Sequence, residues 1–163
     1  AFSGESGSLK RLSLYSPVAY RHKGAGNSNA RVLRHLLAVN TSLEELDLQA
    51  AGIDHIGMSD LAQGLRRNHS LRKLILKGNF LGEEGGCMLV DLVISTLEKG
   101  KTGLRYIDAS YSSIGFDAAQ QMVRLTGRTT VDSRVQYKGG QDDIHVEVIG
   151  NFETEELWNA VTH

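Results

Sequence analysis

The sequence predicts a right-handed α/β solenoid with a parallel sheet on its concave side and helices on its convex side. Three observations carry this prediction: a six-residue pattern recurs, a helical stretch follows most recurrences, and glycines punctuate the turns between them. The pattern is leucine, two residues, leucine, one residue, leucine, and it begins at Leu9, Leu43, Leu71 and Leu104. These leucines are 34, 28 and 33 residues apart. A strand and helix cannot bury their apolar faces alone, so stacked neighbours must supply the core.

Each recurrence predicts a short strand. Side chains alternate along a strand, so the leucines face inward and the residues between them face solvent. The third unit continues to Asn79, whose side chain can bond backbone groups of neighbouring turns. Ala51 cannot do this in the second unit, and Ser112 can do it only in part in the fourth. In the fourth unit Ala109 also shortens the contact with the core.

The stretches that follow the second, third and fourth segments predict helices, because their apolar residues are three and four positions apart. Cys87 lies on the apolar side of the third helix, which predicts a buried thiol. The inward-facing residues of the three helices are predicted to be Met58, Leu61, Ala62 and Leu65, then Met88, Leu89, Leu92, Val93 and Leu97, then Ala118, Ala119, Met122, Val123 and Leu125.

The first unit contains an insertion at residues 16–29, which includes the one proline of the chain, Pro17. This composition predicts a loop on one rim, and a basic binding loop is the alternative. Ser28 or Asn29 is predicted to cap a helix from Ala30 to about Val39.

The leucine spacing stops near Arg128. Residues 134–138 and 144–149 alternate between apolar and polar side chains across a turn-rich linker, which predicts a β-hairpin. A short helix at 155–161 is expected to follow. The predicted domains are therefore leucine repeats in 1–127, with units starting near 8, 42, 70 and 103, and a hairpin-plus-helix cap in 128–163. Docking of a partner through Trp158 is the alternative role for this segment.

Composition excludes several classes of protein. The chain has 163 residues, 40% of them hydrophobic, and a net charge of −1, which fits one ordinary domain and not a general nucleic-acid binder. It has no apolar run of the ~18 residues that a membrane span needs. Its single cysteine excludes an intramolecular disulfide and favours a cytoplasmic setting.

The charge is unevenly distributed. Residues 1–80 hold 11 Lys and Arg against 6 Asp and Glu, for a net of +5, and residues 81–163 hold 7 against 13, for a net of −6. Such a dipolar chain could attract an oppositely patterned partner or associate with its own copies, although compositional drift explains the asymmetry equally well.

No motif points to catalysis, a cofactor or a metal. Gly100-Lys101-Thr102 matches the end of a phosphate-binding loop, but Ser95 stands where that loop needs its first glycine. A helix C-terminal glycine explains the run better. The six histidines lack metal-binding spacing, and Asp142 and Asp143 beside His145 are typical of a turn. We therefore expect a non-enzymatic protein without cofactors.

Any binding surface is expected on the solvent-facing side of the sheet. Parallel strands lie about 4.8 Å apart, so Glu45 should lie within ion-pair reach of Arg11 and Lys73. This row is either a charge ladder between strands, or the flank of an apolar set formed by Tyr15, Ile75 and Tyr106. The predicted partner-binding residues are Arg11, Tyr15, Glu45, Asp47, Lys73, Ile75, Lys77, Tyr106 and Asp108.

These repeats resemble leucine-rich repeats of the ribonuclease-inhibitor-like type. The runs Asn-Thr-Ser-Leu-Glu-Glu-Leu (40–46) and Asn-His-Ser-Leu-Arg-Lys-Leu (68–74) are similar to repeats of tropomodulins and NOD-like receptors, and the resemblance covers about 8–127. It implies a non-catalytic protein–protein interaction module of a larger intracellular protein. Its partner would be another protein, and neither nucleic acid nor membrane. The alternatives are a cytoskeletal, tropomodulin-like actin-capping or self-assembling scaffold module, and a small-GTPase regulator, because Ran GTPase-activating proteins share this repeat type.

Overall fold

A computed structural model describes residues 8–15, 22–98, 102–126, 144–148 and 150–151. In these residues strands and helices alternate along the chain. The elements are β1 (Arg11–Ser13), α1 (Asn27–Val39), β2 (Glu45–Asp47), α2 (His55–Leu65), β3 (Lys73–Ile75), α3 (Gly82–Leu97), β4 (Tyr106–Asp108), α4 (Phe116–Leu125) and β5 (His145–Glu147).

The strands form one parallel sheet in the order β1-β2-β3-β4-β5. The central residue of each strand is paired with the central residue of the next, so Leu12, Leu46, Leu74 and Ile107 are consecutive neighbours. Val146 of β5 continues this line beside Ile107. The repeat register that the leucine spacing predicts is therefore confirmed.

The core lies between the sheet and the helices. Leu46, Leu74 and Ile107 are fully buried. Two predicted core residues lie outside it: Leu97 and Leu125 are 42% and 38% exposed, because each is the last residue of its helix. The predicted helix residues that are buried are Met58, Leu61, Ala62, Leu65, Leu89, Leu92, Val93, Ala118, Ala119 and Met122.

The prediction that Cys87 is buried is wrong, because its thiol is exposed. The inward positions beside it are taken by Gly85 and Gly86, both buried. A Cβ at Gly86 would collide with the backbone carbonyl of Ile114. Helix α3 thus approaches the next repeat through glycine, and the neighbouring Cys87 is left on the outer side.

The first repeat differs from its predicted form at two places. Helix α1 begins at Asn27, and Gly26 occupies the cap position without a side-chain cap, so the predicted cap at Ser28 or Asn29 is wrong. The Gly26 amide instead donates to the Gly52 carbonyl of the next repeat at 3.2 Å. Leu9 is 55% exposed, because β1 lies at the edge of the sheet within the described residues.

The segment after α4 contributes a fifth strand to the same sheet. Strand β5 was expected as one arm of a hairpin, but it runs parallel to β4. The other predicted arm, 134–138, lies outside the described residues, as do the predicted helix at 155–161 and Trp158. Val148 and Asn151 repeat the spacing of Leu76 and Asn79, so the repeat pattern returns at the strand after a long gap.

Within the described part of the chain, no helix combines the length and apolarity that crossing a bilayer requires.

Candidate interaction surface

The helices leave one face of the sheet uncovered, and we call it the open sheet face. Each strand presents there the two residues that flank its central residue. The first row is Arg11, Glu45, Lys73, Tyr106 and His145, and the second row is Ser13, Asp47, Ile75, Asp108 and Glu147.

The first row is a continuous chain of contacts across all five strands. Oε2 of Glu45 lies 3.5 Å from Nε of Arg11, and its Oε1 lies 3.3 Å from Nζ of Lys73. This confirms the predicted pairing. The Lys73 ammonium lies 5.5 Å from the Tyr106 ring centre, and that ring stacks on His145 at 5.4 Å with an interplanar angle of 8°. These contacts therefore link the side chains of the first row from Arg11 to His145.

Tyr106 is half-buried in this row, between Lys73 and His145. Burial raises the pKa of its hydroxyl, and the carboxylates of Asp108 and Glu147 raise it further, Glu147 also through a hydrogen bond. Burial and nearby negative charge both disfavour a phenolate. The hydroxyl therefore keeps its proton at physiological pH.

The second row contains two carboxylates that also organise the turns after their strands. Oδ1 of Asp47 accepts from the Gln49 amide at 2.9 Å, and Oδ1 of Asp108 accepts from the Ser110 amide at 2.9 Å. Asp108 is buried, so the expectation that it faces solvent is wrong. Asp47 makes the same bond to its own turn and is half-exposed, so this bond alone does not bury Asp108.

The residues beyond the strands extend this surface at one edge. Tyr15 is 55% exposed, and the Lys77 ammonium lies 5.6 Å from the ring centre of Tyr111. Sequence reasoning missed Tyr111. Its position gives the signal, because the residue before the Asn79 position has positive φ in the four repeats where the structure describes that residue. These residues are Ala50 (52°), Gly78 (69°), Tyr111 (56°) and Gly150 (67°).

Tyr111 adopts this left-handed conformation although it is not glycine, which costs about 1–2 kcal/mol. A Cβ on Gly150 would collide with the Tyr111 ring. Gly150 therefore serves two needs at once, because it permits the left-handed turn and leaves room for the aromatic ring of the preceding repeat.

A buried hydrogen-bond ladder fixes the turns beneath this edge. The Asn79 amide nitrogen donates to the carbonyls of Leu48 and Leu76 at 2.8 and 2.7 Å, and its oxygen accepts from the Ile53 amide at 2.9 Å. Asn79 thus joins two repeats. The predicted role of asparagine at this position is confirmed.

The other positions of the ladder show what each residue type can do. Ser112 donates to the Leu76 carbonyl at 2.9 Å, and Asn151 donates to the carbonyls of Ala109 and Val148 at 2.9 and 2.8 Å. A hydroxyl has one donor and an amide nitrogen has two, so Ser112 replaces asparagine only in part, as predicted.

A second ladder lies at the opposite edge, where helices lead into strands. The Asn68 side chain donates to the Leu37 carbonyl at 2.8 Å and accepts from the Leu71 amide at 2.7 Å. The Asn40 oxygen accepts from the Leu43 amide at 2.7 Å in the same way. This geometry explains the Asn-x-Ser-Leu runs in physical terms.

Asp54 caps helix α2 and ties it to α1. Its carboxylate accepts from the Ile56 amide and from the Asn27 side chain, both at 2.8 Å. Burial raises the pKa of Asp54, but the hydrogen bonds from Asn27 and from the amides of Ile56 and Gly57, together with the electrostatic contribution of His55, outweigh it, so the pKa is lowered. The folded chain therefore stabilises the charged carboxylate.

No group of three His, Cys, Asp or Glu side chains among the described residues is arranged to hold a metal ion. The open sheet face offers charged, hydrogen-bonding and aromatic groups along the five described strands, and these are the kinds of group that line protein–protein interfaces.

Comparison with known proteins gives a partial match. No protein-family model matches the chain. Leucine-rich repeat-containing protein 45 of Gallus gallus is 42% identical over 73 residues, which is 44% of this chain and 11% of that relative. The matched part thus supports a leucine-rich repeat assignment, and the chain spans a small fraction of the relative's length.

Proposed function

We propose that this chain is a non-catalytic protein-interaction module that binds a partner protein through the open sheet face. The observation that carries the proposal is the contact chain from Arg11 to His145, together with exposed Tyr15 and half-exposed Ile75. The name of the similar protein, which contains leucine-rich repeats, supports the same class of role.

The chemistry of this face fits a protein ligand. Tyr15, Ile75 and Tyr106 offer apolar area, and aromatic anchors commonly supply much of the binding free energy at interfaces. The charges around them alternate in sign, which favours selection of a complementary partner over a simple polyanion. Asp47 and Lys73 stand on neighbouring strands within this set.

The proposal also covers the subtype of the repeats, the hand of the solenoid and the cellular compartment. We assign the chain to the ribonuclease-inhibitor-like type, because its repeats carry full helices of 10 to 16 residues. We also propose right-handed winding, since strand–helix–strand connections in parallel sheets are nearly always right-handed. The free thiol of Cys87 favours a reducing, cytoplasmic setting.

The test compares two triple variants of the full chain as baits for cross-linked partners. Tyr15→Ser, Ile75→Ser and Tyr106→Ser alter the open sheet face. The control replaces three exposed residues of the helices: Val32→Ser, Ile56→Ser and Leu125→Ser. Circular dichroism establishes that both variants are folded.

We expect the control to retain the proteins that the wild type captures, and the sheet variant to lose them. A purified partner should then bind the sheet variant at least about tenfold more weakly, which corresponds to about 1.4 kcal/mol. Equal capture by both variants contradicts the assignment of the open sheet face. Actin co-sedimentation and a stimulated GTP-hydrolysis assay on the wild type test the cytoskeletal and GTPase-regulating alternatives.

A further inference from the structure

A second surface lies where helices α1 and α2 end, and it reaches Glu44 and Arg72, the residues directly before strands β2 and β3. Two adjoining cavities of about 340 and 350 Å³ share Ala38 and Arg67 in their walls. We call their joint volume the basic groove, because four arginines and a single acidic residue line it within the described chain. The side chains that matter are Arg34, Val39, Arg66, Arg67, His69 and Arg72.

The groove has little negative charge to balance these cations. Glu44 is the one acidic residue among its described walls, and its carboxylate lies 2.7 Å from Nζ of Lys10. The hydrogen bond and the charge of Lys10 hold the pKa of Glu44 below its usual value. Glu44 is thus ionised but already paired.

The arginines of the groove fall into two groups. Arg34 pairs with Asp60 at 2.8 Å, and Arg72 donates to the Gly103 carbonyl at 2.7 Å. Arg66 and Arg67 are exposed, and within the described ranges neither side chain forms an ion pair or hydrogen bond. Two adjacent guanidinium groups are therefore available to a ligand.

Helix electrostatics explains only part of this cluster. A cation near the C-terminus of α2 interacts favourably with the helix dipole, and Arg66 stands at the cap of that helix. The dipole effect is confined to the last turn, whereas the groove extends to His69 and Arg72 at the start of the next strand. It also gives no reason for Val39, which is 79% exposed at the groove.

We propose that the basic groove binds an acidic segment of a partner polypeptide. Its carboxylates would pair with Arg66 and Arg67, and an apolar side chain of the segment would contact Val39. Arginine suits this role because its planar fork can bind a carboxylate through two hydrogen bonds.

The same surface is poorly suited to nucleic acid. No phenylalanine, tyrosine or tryptophan lines the groove within the described chain, so it lacks the large aromatic rings on which bases stack best. A long polyanion would also be repelled by the later repeats, since the described residues from 81 onward carry seven Asp and Glu against two arginines, Arg105 and Arg124. A short acidic segment avoids this repulsion.

The experiment measures binding of a fluorescein-labelled peptide, Glu-Glu-Leu-Glu-Glu-Leu-Glu-Glu, to the full chain by fluorescence anisotropy. The test variant is Arg66→Glu with Arg67→Glu. The matched control is Arg124→Glu, an exposed arginine of α4 that does not line the groove. We expect at least about tenfold weaker binding to the test variant, no loss in the control, and affinity that falls with salt.

The test variant should also gain affinity for a peptide of opposite charge, which an unfolded protein would not do. The Arg66→Glu, Arg67→Glu variant should bind the lysine counterpart of the peptide, which the wild type should bind weakly. The Tyr15→Ser, Ile75→Ser, Tyr106→Ser variant should bind the acidic peptide as the wild type does, so failure of the groove and failure of the open sheet face are distinguishable. Equal affinity of wild type and test variant overturns the proposal, as does tighter binding of a thymidine oligonucleotide or of phosphatidylserine vesicles.

Discussion

The two faces of the sheet are made from alternate residues of the same strands, yet their chemistry differs completely. On the covered face the central residues Leu46, Leu74 and Ile107 are all aliphatic and fully buried. On the open sheet face their immediate neighbours, such as Glu45 and Lys73, vary in charge, size and exposure. Burial restricts the covered face to one kind of side chain, so stability resides there, while the open sheet face is free of that restriction.

The largest expected difference in stability is between variants of Leu74 and Ile75, which are neighbours in the sequence but lie on opposite faces of the sheet. Leu74→Ala removes a side chain that is 0% exposed and leaves a cavity between two repeats, which should lower the free energy of unfolding by about 2–5 kcal/mol. Ile75→Ala truncates a half-exposed side chain one position later and should cost less than about 1.5 kcal/mol. Urea denaturation of both variants measures the difference, and equal losses would contradict the division between the faces.

The buried asparagine ladder gives the next largest effect. Asn79→Ala leaves the buried Ile53 amide without its partner. The carbonyls of Leu48 and Leu76 each lose one donor but still accept from the Ala51 amide and the Ser112 hydroxyl. One unsatisfied buried amide costs about 1–3 kcal/mol and each lost hydrogen bond about 0.5–1.5 kcal/mol, so with partial relaxation the total should be about 2–4 kcal/mol.

The control for this variant is Asn29→Ala. Asn29 is exposed in helix α1, where alanine is the better helix former, so its replacement should leave stability unchanged or slightly raised. Thermal unfolding distinguishes the two asparagines. A similar shift of the unfolding temperature in both would show that the ladder contributes no more than a surface amide.

The covered face of the sheet is also the part of the structure that the sequence predicts best. The leucine spacing predicts the sheet register of the first four strands because a strand shifted by one residue would expose its leucines. The pairing of Glu45 with Arg11 and Lys73 follows directly from that register. Alternation also predicts β5 but not its parallel pairing with β4, because Val146, Val148 and Asn151 resume the repeat spacing only after a long gap. The other arm of the predicted hairpin, 134–138, lies outside the described residues.

The features that the sequence could not predict depend on contacts between repeats. Cys87 is exposed because Gly86 must approach Ile114, and helix periodicity alone does not contain that contact. Asp108 is buried whereas Asp47, at the same place in its strand and with the same bond to its own turn, is half-exposed, and strand alternation does not distinguish them. The basic groove was missed because Arg34 and Arg66 belong to different repeats, and only the stacking of α1 on α2 brings them together.

The cap of helix α2 should make stability depend on pH. The pKa of Asp54 is lower in the folded chain than in the unfolded one, so the folded state favours the charged carboxylate. Its contribution is complete above the unfolded pKa of about 3.9 and is lost as pH falls through the folded pKa. Asp54→Asn keeps a capping oxygen but removes the titration.

The expected result is that the stability difference between wild type and Asp54→Asn narrows as pH falls from about 6 to about 2.5. Asp54→Ala should cost about 1 kcal/mol at neutral pH, because it removes the cap altogether. Chemical denaturation at a series of pH values measures both. A difference that stays constant over this range would show that Asp54 does not stabilise the fold through its charge.

The smallest effect is expected on the open sheet face itself. Glu45→Gln removes the ion pairs to Arg11 and Lys73, yet both partners remain hydrated: their side chains are 82% and 41% exposed. Exposed pairs contribute at most about 1 kcal/mol, and salt screens them. The control is Asp91→Asn, because Asp91 is an exposed acid on α3 with no side-chain partner among the described residues. Glu45→Gln should lower the free energy of unfolding by a few tenths of a kcal/mol more than this control does. The difference between the two variants should vanish near 1 M salt. A loss above about 2 kcal/mol would mean that this row holds the repeats together. The open sheet face could then not vary freely, and its role in recognition would have to be reconsidered.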